Sequence, residues 1–259
     1  YLEVYENGIV KPEDVEKAIR EDTALVTIMY ANNEIGSLEP IYELCNIAHR
    51  NGAKFHTEAV QAVGHVKIDV KEIGVDMMSA SSHKFNGPKG IGFIYIKSGT
   101  KISPYADGGA QEHGMRAGTE NIASIVGMAA ALKKNCDNMA QTQNRLIALE
   151  NKFCNILDMS DIEYIRNGSK NHVPGNVNVS IRNASGEMLL HRLDLKGIAI
   201  STGSACDSVN TQVSHVIQAI KVPEEYAQGT IRISFGRDNE ESDAVEIAKA
   251  IVDILKTKQ

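Results

Sequence analysis

Between residues 12 and 96, segments with helical spacing of apolar residues alternate with short apolar runs, and no other feature of the sequence restricts its fold as strongly. Helical patterns occupy 12–20 and 41–50; runs of strand length occupy 24–29, 54–56, 77–79 and 91–96. Strands separated by helices argue for an α/β layer in which helices pack on a sheet. A long helical region from about 120 to 157 then breaks the rhythm. It carries Ile125, Met128, Ala129 and Leu132, then Leu146, Leu149, Phe153 and Ile156, at helical spacing, and reads as a connector. Beyond it the expected order is strand 177–181, helix 185–193, strand 198–201, helix 213–220, strand 230–235 and helix 241–256, a small α+β domain. Ser185 and Ser242 are the expected N-caps of two of these helices.

Composition excludes several classes of function. The 27 basic and 33 acidic residues leave a net charge of -6 without a basic run, which argues against a nucleic-acid face. No apolar run approaches the ~20 residues that span a bilayer and no signal sequence is evident, so a soluble, cytoplasmic protein without membrane contact is expected. The four cysteines, Cys45, Cys136, Cys154 and Cys206, form no Cys-x-x-Cys pair, and neither a disulfide framework nor a zinc knuckle is expected. The first three lie in helix-like stretches, where cysteine behaves as a small buried hydrophobe. His172, His191 and His215 lack metal-ligand spacing and read as ordinary polar positions, so no metal site is expected.

Chemistry concentrates in a few loops. Ser81-Ser82-His83-Lys84-Phe85-Asn86-Gly87-Pro88-Lys89-Gly90 sets one lysine beside two hydroxyls, an imidazole and a tight turn. A lysine that binds a carbonyl cofactor needs a confined site and nearby groups to hold the cofactor's phosphate. Ser81 and His83 are suited to that. His56-Thr57-Glu58-Ala59-Val60-Gln61 ends a strand, where α/β sheets place their ligands, and Tyr30-Ala31-Asn32-Asn33-Glu34-Ile35-Gly36 follows another. The glycine-rich stretch from Asp107 to Asn121 opens the long helix, a usual meeting point of backbone amides and phosphate. Ser201-Thr202-Gly203-Ser204-Ala205-Cys206 is a small-residue loop bearing a thiol.

Taken in order, Ala-Asn-Asn-Glu-Ile-Gly, His-Thr-Glu-Ala-Val-Gln, Ser-x-His-Lys-x-x-Gly-Pro-Lys-Gly, Gly-Gly-x-Gln-Glu-x-Gly-x-Arg-x-Gly-Thr-Glu-Asn, Gly-Ser-Ala-Cys and Ile-Arg-Ile-Ser-Phe-Gly-Arg resemble the cysteine desulfurases, pyridoxal-phosphate enzymes of class V aminotransferase fold. The resemblance implies an α/β protein of the fold type I of pyridoxal-phosphate-dependent transferases. Residues 1–135 would form the C-terminal part of the cofactor-binding large domain, with a mainly parallel sheet and the start of the connecting helix. Residues 136–259 would form the small C-terminal α+β domain with the catalytic cysteine loop. It further implies that Lys84 carries the cofactor and moves protons, that Ser81, His83 and a second subunit's Thr119 hold its phosphate, that Gln61 meets the ring hydroxyl, and that Glu58 faces the ring nitrogen. Asn33, a cofactor and substrate ligand, and Arg232 match the residues that take the substrate carboxylate, for which the planar guanidinium is well shaped. Cys206 matches the nucleophile that takes sulfur from L-cysteine as a persulfide, in the long-loop branch that passes sulfur to iron-sulfur scaffold and acceptor proteins. A homodimer is implied.

Two departures from the family pattern stand out. Glu58 replaces the family's Asp, adding a methylene of ~1.5 Å to a carboxylate whose placement governs rate. The resemblance also covers only the last two-thirds of a typical member; the family's first third, with its Gly-Ala-Thr-Glu phosphate loop and ring-stacking histidine, has no counterpart here, so apolar sheet surface and open edges are expected to be exposed. Selenocysteine lyase, another class V enzyme, or a non-catalytic paralogue that binds sulfur-transfer partners remain alternatives.

Overall fold

The computed structural model describes residues 1–203 and 213–256. In chain order its elements are α1 (Pro12–Ala18), β1 (Leu25–Met29), α2 (Ile41–Arg50), β2 (Lys54–Glu58), α3 (Val70–Ile73), β3 (Met77–Ser81), β4 (Gly92–Ile96), α4 (Ile122–Asp137), α5 (Met139–Asp158), β5 (Tyr164–Arg166), β6 (Asn176–Ile181), α6 (Gly186–Asp194), α7 (His215–Ala219), α8 (Glu224–Ala227), β7 (Thr230–Ser234) and α9 (Glu241–Lys256). They form two compact units, Ile19–Met29 with Ile41–Asp137, and Tyr1–Ala18 with Tyr30–Pro40 and Asn138–Gln259.

The first unit is built on a sheet of order β1-β2-β3-β4, parallel from β1 to β3 and antiparallel at β4. Strand residues alternate between two faces. Val26, Phe55, Thr57, Met78 and Ala80 are buried, and α2 presents Ile41, Leu44, Cys45 and Ala48, one helical stripe, to the same core. Leu25, Met29 and Ile94 are exposed on the opposite face. Asp69 caps α3 by accepting from Lys71 N and Glu72 N.

The second unit has a three-stranded antiparallel sheet, β5-β6-β7. One face is apolar: Val177, Val179, Ile181, Ile231 and Ile233 pack with Leu149, Phe153 and Leu157 of α5, Leu189 and Leu193 of α6, and Ala244, Ala248 and Ile251 of α9. Phe153 meets Phe235 edge-on, with ring centroids 6.3 Å apart. The other face carries the buried polar residues Asn178, Ser180 and Thr230.

Three sequence expectations change here. The helical region 120–157 is two helices, broken at Asn138, whose φ of -110° and ψ of 8° leave the helical range. The expected strand 198–201 reduces to one bridge between Ser201 and Arg232, after which Gly203 turns the chain at φ +71°. Ser185 caps α6 by accepting from Met188 N, but Ser242 lies inside α9. Asp243 takes the Glu240 N–H and Asn239 Nδ2 instead.

Candidate active site

In the first unit, β2 and β3 bring functional groups to the face opposite their buried residues. Glu58 pairs in register with Ser79, and Ser81 follows two residues on. His56 ties three strands on this face: Nδ1 lies 2.8 Å from Thr27 Oγ1 and Nε2 lies 3.2 Å from Ser79 Oγ. Burial holds its pKa below the ordinary value. Directly after β3 the chain makes a 3₁₀ turn, Ser82–Phe85, closed by Asn86 at φ 66°. Lys84 is on this turn, and Ser81 Oγ lies 2.8 Å from His83 Nδ1.

The turn is held by two side chains. His65 Nε2 donates to the Lys84 carbonyl at 2.8 Å, and Asn135 Nδ2 of α4 donates to the Phe85 carbonyl at 3.2 Å. Close packing adds to this: a Cβ at Gly127 of α4 would lie 2.9 Å from Pro88 Cγ, and one at Gly87 would lie 2.1 Å from Ser82 Oγ. His65 and Asn135 carry no motif signal. Their task is to bond backbone carbonyls distant in sequence.

Glu58 Oε1 accepts from Val60 N at 2.5 Å, so the longer side chain folds back onto its own turn. Burial raises its pKa, while the Val60 N–H and the positive charge of Lys84 act in the opposite direction. Lys84 and Glu58 therefore interact electrostatically. Gln61 is half-buried in the same turn region, and Thr119 is exposed on the loop before α4. That loop is tied internally, Gly118 N to Gln111 Oε1 and Arg116 Nη1 to the Gly118 carbonyl. Ser82 Oγ is buried without a hydrogen-bond partner.

In the second unit, Asn32 Oδ1 accepts from Glu34 N and Ile35 N, closing the turn that displays Asn33. Arg232 Nη1 donates to the Asn33 carbonyl at 2.9 Å, and Nη2 donates to Ser201 Oγ at 3.3 Å. The structure thus brings together the two residues expected to take a carboxylate. Ser201 and Arg232 also exchange backbone hydrogen bonds. Cys206 lies outside the described residues.

Other titratable clusters are structural. Cys45, His49 and Asp76 have the composition of a nucleophilic triad, but Cys45 is fully buried and burial pushes its thiol up to about 11. His49 Nε2 and Lys54 Nζ both meet the Asp76 carboxylate. His172 is not an ordinary polar position: with Arg166 it pairs with the buried Glu150, which also accepts from Gly175 N. Cys136 differs from expectation as well, since α4 buries none of its residues and leaves this thiol exposed. Among the described residues no group of three or more His, Cys, Asp or Glu is placed to hold a metal ion, and no helix is long and apolar enough to cross a membrane.

The aminotransferase class-V family model matches residues 1–247. The chain belongs to the aminotransferase class-V family. It is 45% identical over 262 aligned positions to a protein named cysteine desulfurase IscS from Dictyoglomus turgidum, covering 99% of this chain and 66% of the relative. It is 44% identical to one of the same name from Clostridium botulinum, covering 100% of the chain and 66% of that relative. The chain thus spans 66% of the length of these curated relatives. A solved structure titled NifS-like protein superposes with a TM-score of 0.91 at 35% identity, covering 99% of this chain and 68% of that one. The class-V fold is shared along nearly the whole chain.

Pyridoxal phosphate is the cofactor of this family. In the first unit the donor set fits it: an amine for its carbonyl, a hydroxyl–imidazole pair for its phosphate, an amide for its ring hydroxyl and a carboxylate for its protonated ring nitrogen. Ser82 Oγ adds a buried polar atom without a partner beside the lysine.

Proposed function

We propose that this class-V chain belongs to a pyridoxal-phosphate-dependent cysteine desulfurase that converts L-cysteine to L-alanine and leaves a persulfide on Cys206. The observation that carries the reading is Lys84 on its clamped turn, within electrostatic reach of Glu58 and beside the Ser81–His83 pair. Lys84 would bind the cofactor and relay protons, Glu58 would hold the ring nitrogen's proton, and Gln61 the ring hydroxyl. Ser81 and His83, with Thr119 of a second copy, would hold the phosphate. Asn33 and Arg232 would fix the substrate carboxylate. When bound, the cofactor supplies an electron sink at the substrate α-carbon. The Cys206 sulfur attacks the substrate sulfur, an S–S bond forms, the substrate C–S bond breaks, and the carbon takes that electron pair and a proton. One thiol and one cysteine thus give one persulfide and one alanine.

The names of the relatives support this reading. It extends to a cytoplasmic homodimer that hands sulfur to an iron-sulfur scaffold or another acceptor protein. The domain boundary at residues 135 and 136 belongs to the same reading.

The first test is a visible absorption spectrum with added pyridoxal phosphate, then borohydride reduction and peptide mapping. A pyridoxyl label on Lys84 is the expected result, and a chain that takes up no label contradicts it. Assays with L-cysteine and L-selenocysteine then separate desulfurase from selenocysteine lyase. One residue favours a non-catalytic paralogue: Glu58, whose Oε1 is already engaged by Val60 N. Label on Lys84 without alanine formation would establish that second reading.

A further inference from the structure

We propose that Asn178 is the positioning residue for the carboxylate-binding pair Asn33 and Arg232, an inference that rests on the desulfurase reading of that pair. Asn178 on β6 stands directly across from Arg232 on β7. Both reach the same turn. Arg232 Nη1 donates to the Asn33 carbonyl, and Asn178 Nδ2 donates to the next carbonyl, that of Glu34, at 3.2 Å. Two successive peptide planes are thereby pinned to two cross-strand neighbours, which fixes the backbone on the C-terminal side of Asn33. The turn lies close on β6, since a Cβ at Gly36 would be 3.1 Å from Asn176 Cβ.

The Asn178 amide has one workable orientation. Its Oδ1 accepts from Asn167 Nδ2 at 2.7 Å, so its amine must face the Glu34 carbonyl, which can only accept. Asn167 Nδ2 also donates to Ser180 Oγ, and Ser180 Oγ lies 2.7 Å from Thr230 Oγ1, which donates to the Ala227 carbonyl. Asn178 is 1% exposed. Without its bond to Glu34, the turn that aims Asn33 and holds Arg232 loses one of the two side-chain bonds that pin the Asn33 and Glu34 carbonyls to the sheet. Loss of one charge-assisted hydrogen bond to the substrate carboxylate is worth on the order of 10- to 100-fold in binding.

The test compares the full chain with Asn178→Ala, Asn178→Ser and Ser180→Ala. Ser180 shares the polar ladder but does not touch the turn, so it controls for lost stability. Two readouts are taken: the ¹⁵N-resolved guanidinium signals of Arg232, which need no cofactor, and calorimetric affinity for L-alanine in the presence of pyridoxal phosphate. Both Asn178 variants should lose slow guanidinium exchange and at least about 10-fold in affinity, whereas Ser180→Ala keeps both while its Tm falls. The Ser variant serves if the Ala variant does not fold. Equal losses in the Asn178 and Ser180 variants, or wild-type behaviour of the Asn178 variants, would overturn the proposal. If the wild-type chain binds no L-alanine, the desulfurase reading fails, and the guanidinium signals alone decide the role of Asn178.

Discussion

Replacing Glu39 with glutamine should make the protein more stable in mild base and leave it unchanged in mild acid. The Glu39 carboxylate accepts from Val10 N at 3.0 Å through Oε2 and 3.3 Å through Oε1, joining the N-terminal segment to the turn that displays Asn33. Burial raises its pKa from 4.5 to about 7, against a smaller opposing effect of the Val10 N–H. A carboxyl raised on folding favours the fold when protonated, so its stabilising balance is complete below 4.5 and is lost as pH rises through 7. At roughly 1.36 kcal/mol per pH unit, ionised Glu39 costs about 3 kcal/mol well above pH 7. Glutamine keeps an acceptor for Val10 and never ionises. In urea titrations followed by circular dichroism, wild type and Glu39→Gln should coincide at pH 4. At pH 8.5 the variant should unfold at a midpoint about 1.5 M higher, taking a slope on the order of 2 kcal/mol/M. A difference that does not change with pH, or a variant less stable at pH 8.5, would refute the burial argument.

Asp76 works in the opposite sense. Burial pushes its pKa up, but Lys54, His49 and the Phe55 N–H outweigh this and hold it at about 2. It contributes about 2 kcal/mol above pH 4, lost as pH falls toward 2, and Asp76→Asn should abolish that acid transition in a pH melt. Glu150→Gln leaves Arg166 and His172 without their buried carboxylate and should cost about 3–5 kcal/mol. An NMR titration should show the raised His172 pKa return toward the ordinary histidine value, and an unmoved His172 would contradict the pairing. Glu58→Asp should raise alanine formation from cysteine, by up to about 10²-fold if placement is the limit. No gain would mean that the Glu58–Val60 bond already places the carboxylate well.

The strands of the sheet could be read in the sequence because apolar runs have a period, and Ser185 because a cap followed by Met188 and Leu189 is a local pattern. Ser242 misled because the helix starts one residue before it: Asp243, in the first turn, reaches back to the Glu240 N–H, which leaves Ser242 inside α9 rather than at its cap. The break at Asn138 is hidden because apolar spacing continues across it. The residue types of the site could be read from their motifs, but their supports could not. His65 reaches Lys84 across 19 residues, Asn135 reaches Phe85 across 50, and Asn178 reaches Glu34 across 144. Each is a side chain bonding to a backbone carbonyl, which accepts from any residue type and so leaves no trace in the sequence of its partner. His172 was missed for a related reason: its partner Glu150 lies 22 residues away on the apolar stripe of α5, four residues after Leu146 and three before Phe153, and nothing local in the sequence joins the two.

The exposure of Cys136 has a practical consequence for thiol chemistry. Cys45 is buried with its thiol raised to about 11, and burial also raises the half-buried Cys154. Iodoacetamide or a maleimide added to the folded chain will therefore alkylate Cys136 well before either of these. Mass-spectrometric counting of persulfide, or dye labelling aimed at Cys206, thus carries a built-in background from α4. A Cys136→Ser chain is the proper parent for every sulfur-transfer measurement.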